Sequence, residues 1–350
     1  MLADKDAKPQ QSLWRRVLAV QPEERGELIG ASLGFFFLMC AYAMLRPLRE
    51  VMAIAGGTDQ IQWLFTATFL VILAVVPLYS WGVARSVRQV FIPWTYRLLG
   101  LSLLGFFAVF TSFSGEESVW AARVFFVFMS VFNLLVISVF WELMADHYTR
   151  EQGGRLFGMI AAGGSLGAVV GPALTSELVA TTGPGPLLVV AAVLLEGVVL
   201  CLRTILRGRA ASRSLAHAPI GGSAFAAITL VARSPLLLGI CGYLFLHTFT
   251  STFLYFEQAH LVAEQIPDDA GRTQFFARVD LAVNAIALVV QVFAFGRLIR
   301  WVGLVGGMLL VPVISGVGLA ALGVWPSLAV LAGVQVLRRS LNYAVAKPTR

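Results

Sequence analysis

Apolar residues run through this chain in stretches near twenty residues long, separated by short polar connections, and they do not alternate with period two. A helix of about 20 apolar residues crosses the hydrocarbon core of a bilayer, whereas a spanning strand would be about ten residues long and alternating. The pattern therefore predicts ten helical spans, at roughly 27–47, 60–82, 91–112, 119–142, 155–180, 185–203, 234–256, 274–296, 303–323 and 325–347. Residues 1–26 are polar. Within them Leu13, Trp14, Val17 and Leu18 beside Arg15 and Arg16 make a short amphipathic piece, expected to lie on the membrane surface. The fold class is an all-α polytopic membrane protein.

Composition strengthens this picture. Of 350 residues, 58% are hydrophobic and only 13% charged, about half the charged share of a soluble domain. That excludes a secreted or cytosolic enzyme. A net charge of +7 would suit a nucleic-acid binder, but its distribution points to topology instead. The N-terminal tail and the even-numbered connections hold sixteen Lys and Arg residues, including Arg85, Arg88, Arg150, Arg155, Arg203 and Arg297, against five for the odd-numbered ones. By the positive-inside rule the N-terminus is cytoplasmic, and the expected location is a bacterial inner membrane. Cys40, Cys201 and Cys241 all lie in apolar stretches and suggest neither disulfides nor a metal site. There is no P-loop, zinc-helix motif or nucleophile elbow, so no cofactor and no catalysis are expected. The expected partners are the bilayer and a small solute, without nucleic acid, and the expected state is a monomer.

The longest connection, 204–232, is basic and rich in Gly, Ala and Ser. It reads as a cytoplasmic linker between a six-span half, 27–203, and a second half, 233–350, with four spans. Six plus six spans with inverted three-span repeats is the major facilitator arrangement. The chain is therefore expected to be truncated, with ten spans of a probable twelve present. An internal repeat fits this layout. Span one ends Tyr42-Ala-Met-Leu-Arg46-Pro47-Leu-Arg49-Glu50 and span ten ends Tyr343-Ala-Val-Ala-Lys347-Pro348-Thr-Arg350, while spans four and seven end in Trp141-Glu142 and Phe256-Glu257.

Ionisable groups within spans cost about 2.5–3.5 kcal/mol each to insert and so face a cavity or a partner. The clearest are Arg97, Glu196, His247, Arg278, Asp280, Arg338 and Arg339, with Arg46 and Lys347 near span ends. Arg97 reads first as a snorkelling side chain. Arg338 and Arg339 lie well inside span ten. Neighbours on a helix diverge by about 100°, so at most one points straight into a central pathway, the competing reading being an ion pair with Asp280 or Glu257. Asp280, Asn284 and Gln291 make a polar stripe on span eight, suited to a water-filled cavity or to bonding between helices. Bases Arg46, Arg338, Arg339 and Lys347 match or exceed acids Glu142, Glu257 and Asp280, which favours an anionic solute. In span five Gly163, Gly167 and Gly171 recur every four residues, and with Gly158 and Pro172 they form a surface for close helix packing.

Two resemblances rest on these residues. Gly158, Gly167 and Gly171-Pro172 resemble the span-five antiporter signature of major facilitator transporters, and Gly296-Arg-Leu-Ile-Arg300-Trp-Val-Gly303 resembles their short cytoplasmic motif. Tyr42-x-x-Leu45-Arg46-x-x-Arg49-Glu50, Phe140-Trp141, Arg155-x-Phe157-Gly158 and Tyr343-Ala-x-x-x-Pro348-Thr349-Arg350 are similar to the ATP/ADP translocases, in their free-living bacterial branch. That resemblance implies a facilitator-like fold, exchange of nucleotides such as ATP for ADP, and binding or gating roles for Arg46, Arg49, Glu50 and Arg350. The competing functions are a proton-coupled exporter of drug-like solutes and a membrane sensor or scaffold with a soluble C-terminal domain.

Overall fold

The computed structural model describes residues 20–208 and 234–346. Most of the N-terminal segment, nearly all of the linker, and Lys347, Pro348 and Arg350 lie outside the described residues. Among those described there are helices and no strand. Ten long helices follow in chain order: α1 Arg25–Ala55, α2 Ile61–Arg85, α3 Arg88–Ser112, α4 Glu116–His147, α5 Arg150–Thr182, α6 Pro186–Gly208, α7 Pro235–Gln265, α8 Asp269–Val289, α9 Phe295–Val324 and α10 Leu328–Leu341. Eight of them, α1 to α8, are long and apolar enough to cross a membrane, and α9 carries a shorter apolar run at Leu310–Val324.

The helices begin and end where local chemistry dictates. Thr149 caps α5 in a reciprocal box with Gln152, and Asp268, Ser234 and Ser327 accept bonds from backbone amides at the starts of α8, α7 and α10. Gly57 and Gly183, at φ of 100° and 76°, turn the chain tightly after α1 and α5. Both turns lie at the end of the bundle away from the start of α1. We call this the far end, and the other the near end. The tenth span differs from its expected form: α10 has 14 residues, and a wider π-type turn, Asn342–Ala346, continues it. A second such turn, Val290–Ala294, follows α8.

α1 is the hub of the bundle. It packs most extensively on α5, then on α6, α4 and α8, and α8 lies against both α5 and α10. The α1–α5 seam is set by missing side chains. A Cβ added at Gly163 or Gly167 would run into the backbone carbonyl oxygens of Ser32 or Phe36, one at Gly164 into the Phe35 ring, and one at Gly171 would stop 2.6 Å from the Cys40 carbonyl oxygen. The two backbones are in contact, and Thr175 Oγ1 donates across the seam to the Met44 carbonyl at 3.3 Å. Pro172 is buried in the same helix. Gly158 corrects the packing assignment: it is exposed, with nothing within 4 Å of an added Cβ. It points about 140° around α5 from Gly163 and so faces away from α1.

Residues before 209 and after 233 are joined at mid-depth and toward the far end. Phe65 on α2 meets Tyr255 and Phe256 on α7 edge-on, and Gln274 on α8 donates to the Ser176 carbonyl on α5. Outward-facing apolar side chains run the length of both helices: Trp63, Phe69, Leu73, Leu78 and Trp81 of α2 and Leu238, Phe245, Phe249 and Phe253 of α7 are exposed.

Candidate functional site

Three helices bring their charged residues to one depth. Arg46 on α1, Asp280 on α8 and Arg339 on α10 each lie about 13–17 Å along the helix from the far end. Asp280 is buried between the two guanidinium groups. Its Oδ1 accepts from Arg339 Nη2 at 2.5 Å, and its Oδ2 lies 3.7 Å from Arg46 Nε. Arg46 Nη1 also donates to the Tyr343 hydroxyl at 3.2 Å, so the turn after α10 is tied to α1. A single carboxylate thus holds three helices that are far apart in sequence.

Arg338, the neighbour of Arg339, points elsewhere. Its Nη1 donates to Ser251 Oγ on α7 at 2.7 Å and its Nη2 to Gln335 Oε1 at 3.2 Å. Gln335 in turn donates to Gln258 Oε1 at 2.7 Å. Arg338 is buried, at 8% exposure, and its Nε has no hydrogen-bond partner. Its hydrogen-bond partners are neutral, and among the described residues this guanidinium has no counterion. Arg49 and Glu50 stand about one turn further along α1. Arg49 Nη1 donates to Glu50 Oε1 at 3.2 Å, and its guanidinium lies over the Phe126 ring, 4.1 Å from the centroid.

The remaining candidates do not join the cluster. Asn284 donates back to the Asp280 carbonyl of its own helix at 2.8 Å, and Gln291, in the π turn, donates to the Tyr343 carbonyl. The polar stripe of α8 is therefore spent within the helix and on its neighbour, and it does not open as a continuous wet face. Glu142 departs from its expected place among the central acids. It accepts from the Tyr79 hydroxyl at 2.8 Å, beside a cleft between α2, α3 and α4 with room for about one water. Glu257 is half-buried on α7 and forms no ion pair among the described residues. Arg97, expected to snorkel, instead pairs with Glu196.

Sequence reasoning missed the neutral partners: Ser251, Gln258 and Gln335 carry no charge and sit in no motif. Tyr343 was legible as the first residue of the Tyr-Ala repeat, but its bond to the base of the other copy of that repeat was not. A second polar group was missed at the near end. Glu24 accepts from Arg155 Nη2 at 3.0 Å and from Gln152 at 2.9 Å, and Glu27 Oε2 lies 2.9 Å from His147 Nε2. These contacts tie the start of α1 to the α4–α5 connection. Burial, with Glu27 and Glu24 nearby, pushes the Tyr148 phenol there up to about 12, so it stays neutral at physiological pH.

The described residues thus hold buried charges at mid-depth and no cluster of His, Cys, Asp and Glu fit for a metal. No curated protein matches the chain. The family model of the Major Facilitator Superfamily matches residues 31–346, from the first turns of α1 to the turn after α10, and the chain belongs to that superfamily of secondary transporters.

Proposed function

We propose that the chain moves a small anion by alternating access, binding it between α1, α7 and α10. The observation that carries this reading is the charge imbalance at mid-depth. Arg46, Arg49, Arg338 and Arg339 gather there with Asp280, Glu50 and the half-buried Glu257, three acids for four bases. Four guanidinium groups are costly in a low-dielectric interior unless a negative partner is present for part of the cycle. The guanidinium fork matches carboxylate and phosphate oxygens, and Arg338 has one nitrogen without a partner and no acid to lose. The resemblance to the ATP/ADP translocases makes a nucleotide the first solute to try, in exchange for another nucleotide. The contacts that join residues before 209 to those after 233 lie at mid-depth and toward the far end, which supports a conformation open toward the near end, and the excess of Lys and Arg at that end favours a cytoplasmic location for it. In this reading residues 27–203 and 233–346 belong to two halves that rock about the site, and the glycine seam keeps α1 and α5 moving together.

The test is uptake of labelled ATP by proteoliposomes preloaded with ADP or left empty. Uptake that requires internal ADP and disappears in Arg338→Gln supports nucleotide exchange at this site. A folded protein that takes up neither nucleotides nor other organic or inorganic anions would overturn the anionic reading.

A further inference from the structure

Arg97 and Glu196 form an ion pair that the transport site does not use. Arg97 Nε donates to Glu196 Oε2 at 3.0 Å and Nη2 to Oε1 at 2.7 Å. The two residues lie about 14–18 Å along α3 and α6 from the near ends of those helices, well within the hydrocarbon layer. Yet neither is covered: the side chains are 36% and 42% exposed. The surface around them is apolar. Trp94 and Leu101 flank Arg97 at i−3 and i+4, Val193 and Leu200 flank Glu196 at the same spacings, and all four are exposed. This is a face that lipid would wet, with an open charge pair in its middle. Arg97 does not reach for the headgroups, because its fork is spent on Glu196.

We propose that this α3–α6 face is the interface of a homodimer, in which the pairs of two copies meet. The argument is one of symmetry. Two copies with the same topology can face each other only through a twofold axis along the membrane normal. Such an axis keeps depth and reverses the left-to-right order. α3 and α6 are packed neighbours, so the pair runs sideways across the face at one depth. The twofold then sets Arg97 of each copy opposite Glu196 of the other, and four charges close into a ring shielded by Trp94, Leu101, Val193 and Leu200. An ion pair aligned along the helix axis would meet its own likeness instead. The homodimer replaces the monomer expected from sequence, and it stands independently of the transported solute.

A charge swap tests it. Arg97→Glu with Glu196→Arg retains the pair within each chain but reverses its direction. Two swapped copies remain complementary, whereas a swapped copy facing a native one sets Arg against Arg and Glu against Glu. Two tags on co-expressed copies, read by capture of one tag and detection of the other, are expected to show native with native and swapped with swapped at equal yield. Mixed capture should fall at least about tenfold, because like charges facing across an interface are strongly disfavoured. Single-molecule photobleaching of the native protein in dilute vesicles should give two steps. One-step bleaching, meaning that lipid or a different protein covers the face, would overturn the proposal, as would mixed capture equal to like capture. Should the swap fail to fold, a benzophenone photo-crosslinking side chain placed at Leu101, which inserts into C–H bonds in an apolar setting, gives the same readout. Irradiation is then expected to link two copies, and a product that stays monomeric sinks the idea.

Discussion

The side of α1 that meets α5 and the side that meets α8 and α10 are built from opposite chemistry. Toward α5 the seam is made by removing side chains, so that Gly163, Gly167 and Gly171 bring backbone against backbone. Toward α8 and α10 it is made by long charged side chains around Asp280. Contact of the first kind has one good arrangement, since dispersion falls off within an ångström. Contact of the second kind has several, because a guanidinium can exchange one oxygen partner for another at little change in geometry. In the proposed cycle the first is a joint that stays closed while the bundle rocks, and the second a joint whose bonds are handed to a solute and taken back.

The sharpest way to separate the two is to remove a charge without a partner and then one with two. Arg338→Gln is expected to lower transport at least about 30-fold, the equivalent of about 2 kcal/mol for the loss of a buried charged contact. Stability should not fall, since glutamine can still bond to Ser251 or Gln335 and a desolvated charge without a counterion is gone. Uptake at the native rate would remove Arg338 from the site. Asp280→Asn is expected to do the opposite to stability. It leaves Arg46 and Arg339 facing each other across a buried amide, a loss of about 3 kcal/mol, measurable by denaturant unfolding in detergent micelles. A variant as stable as the native protein would mean that the two arginines have another counterion.

On the other side of α1, Gly167→Ala places one methyl group against the Phe36 carbonyl. Overpacking of this kind costs about 1–3 kcal/mol, and here neither neighbour can turn a rotamer aside, because the obstacle is backbone. The expected outcome is lower thermal stability with the substrate affinity of the surviving protein unchanged. A fall in affinity without a fall in stability would show that the seam takes part in binding.

What could be read in the sequence follows the same division. The first eight spans were legible because bilayer thickness imposes a length and a polarity on each helix, and the glycine seam because a four-residue repeat is a local property of one helix. Arg46, Asp280, Arg338 and Arg339 were legible as costly charges, and Asp280 as a partner for the pair on α10. Which arginine took it was not legible, because adjacent residues diverge by about 100° and the rotation of α10 is fixed by its packing on α7, α8 and α9. The same gap misplaced Glu142. Its position at the end of span four suggested the centre by analogy with span one, while the structure turns it toward Tyr79. The two π turns shift the register after Val289 and Leu341, and nothing in the apolar pattern announces them.

Gly158 offers the smallest effect and the cleanest control on the comparison. It belongs to the same helix and the same sequence pattern as the three seam glycines, so a rule based on pattern alone gives it the same penalty. Its surroundings differ: it is exposed, and an added Cβ meets nothing within 4 Å. In a helix interior alanine is favoured over glycine by about 0.5–1 kcal/mol, because glycine loses more backbone freedom on folding. Gly158→Ala is therefore expected to leave transport unchanged and to raise stability slightly, whereas Gly167→Ala lowers it, although the chemical change is the same single methyl group. If Gly158→Ala instead destabilises the protein as much as Gly167→Ala does, another surface closes on this part of α5 during the cycle, and the seam extends further toward the near end than α1 alone accounts for.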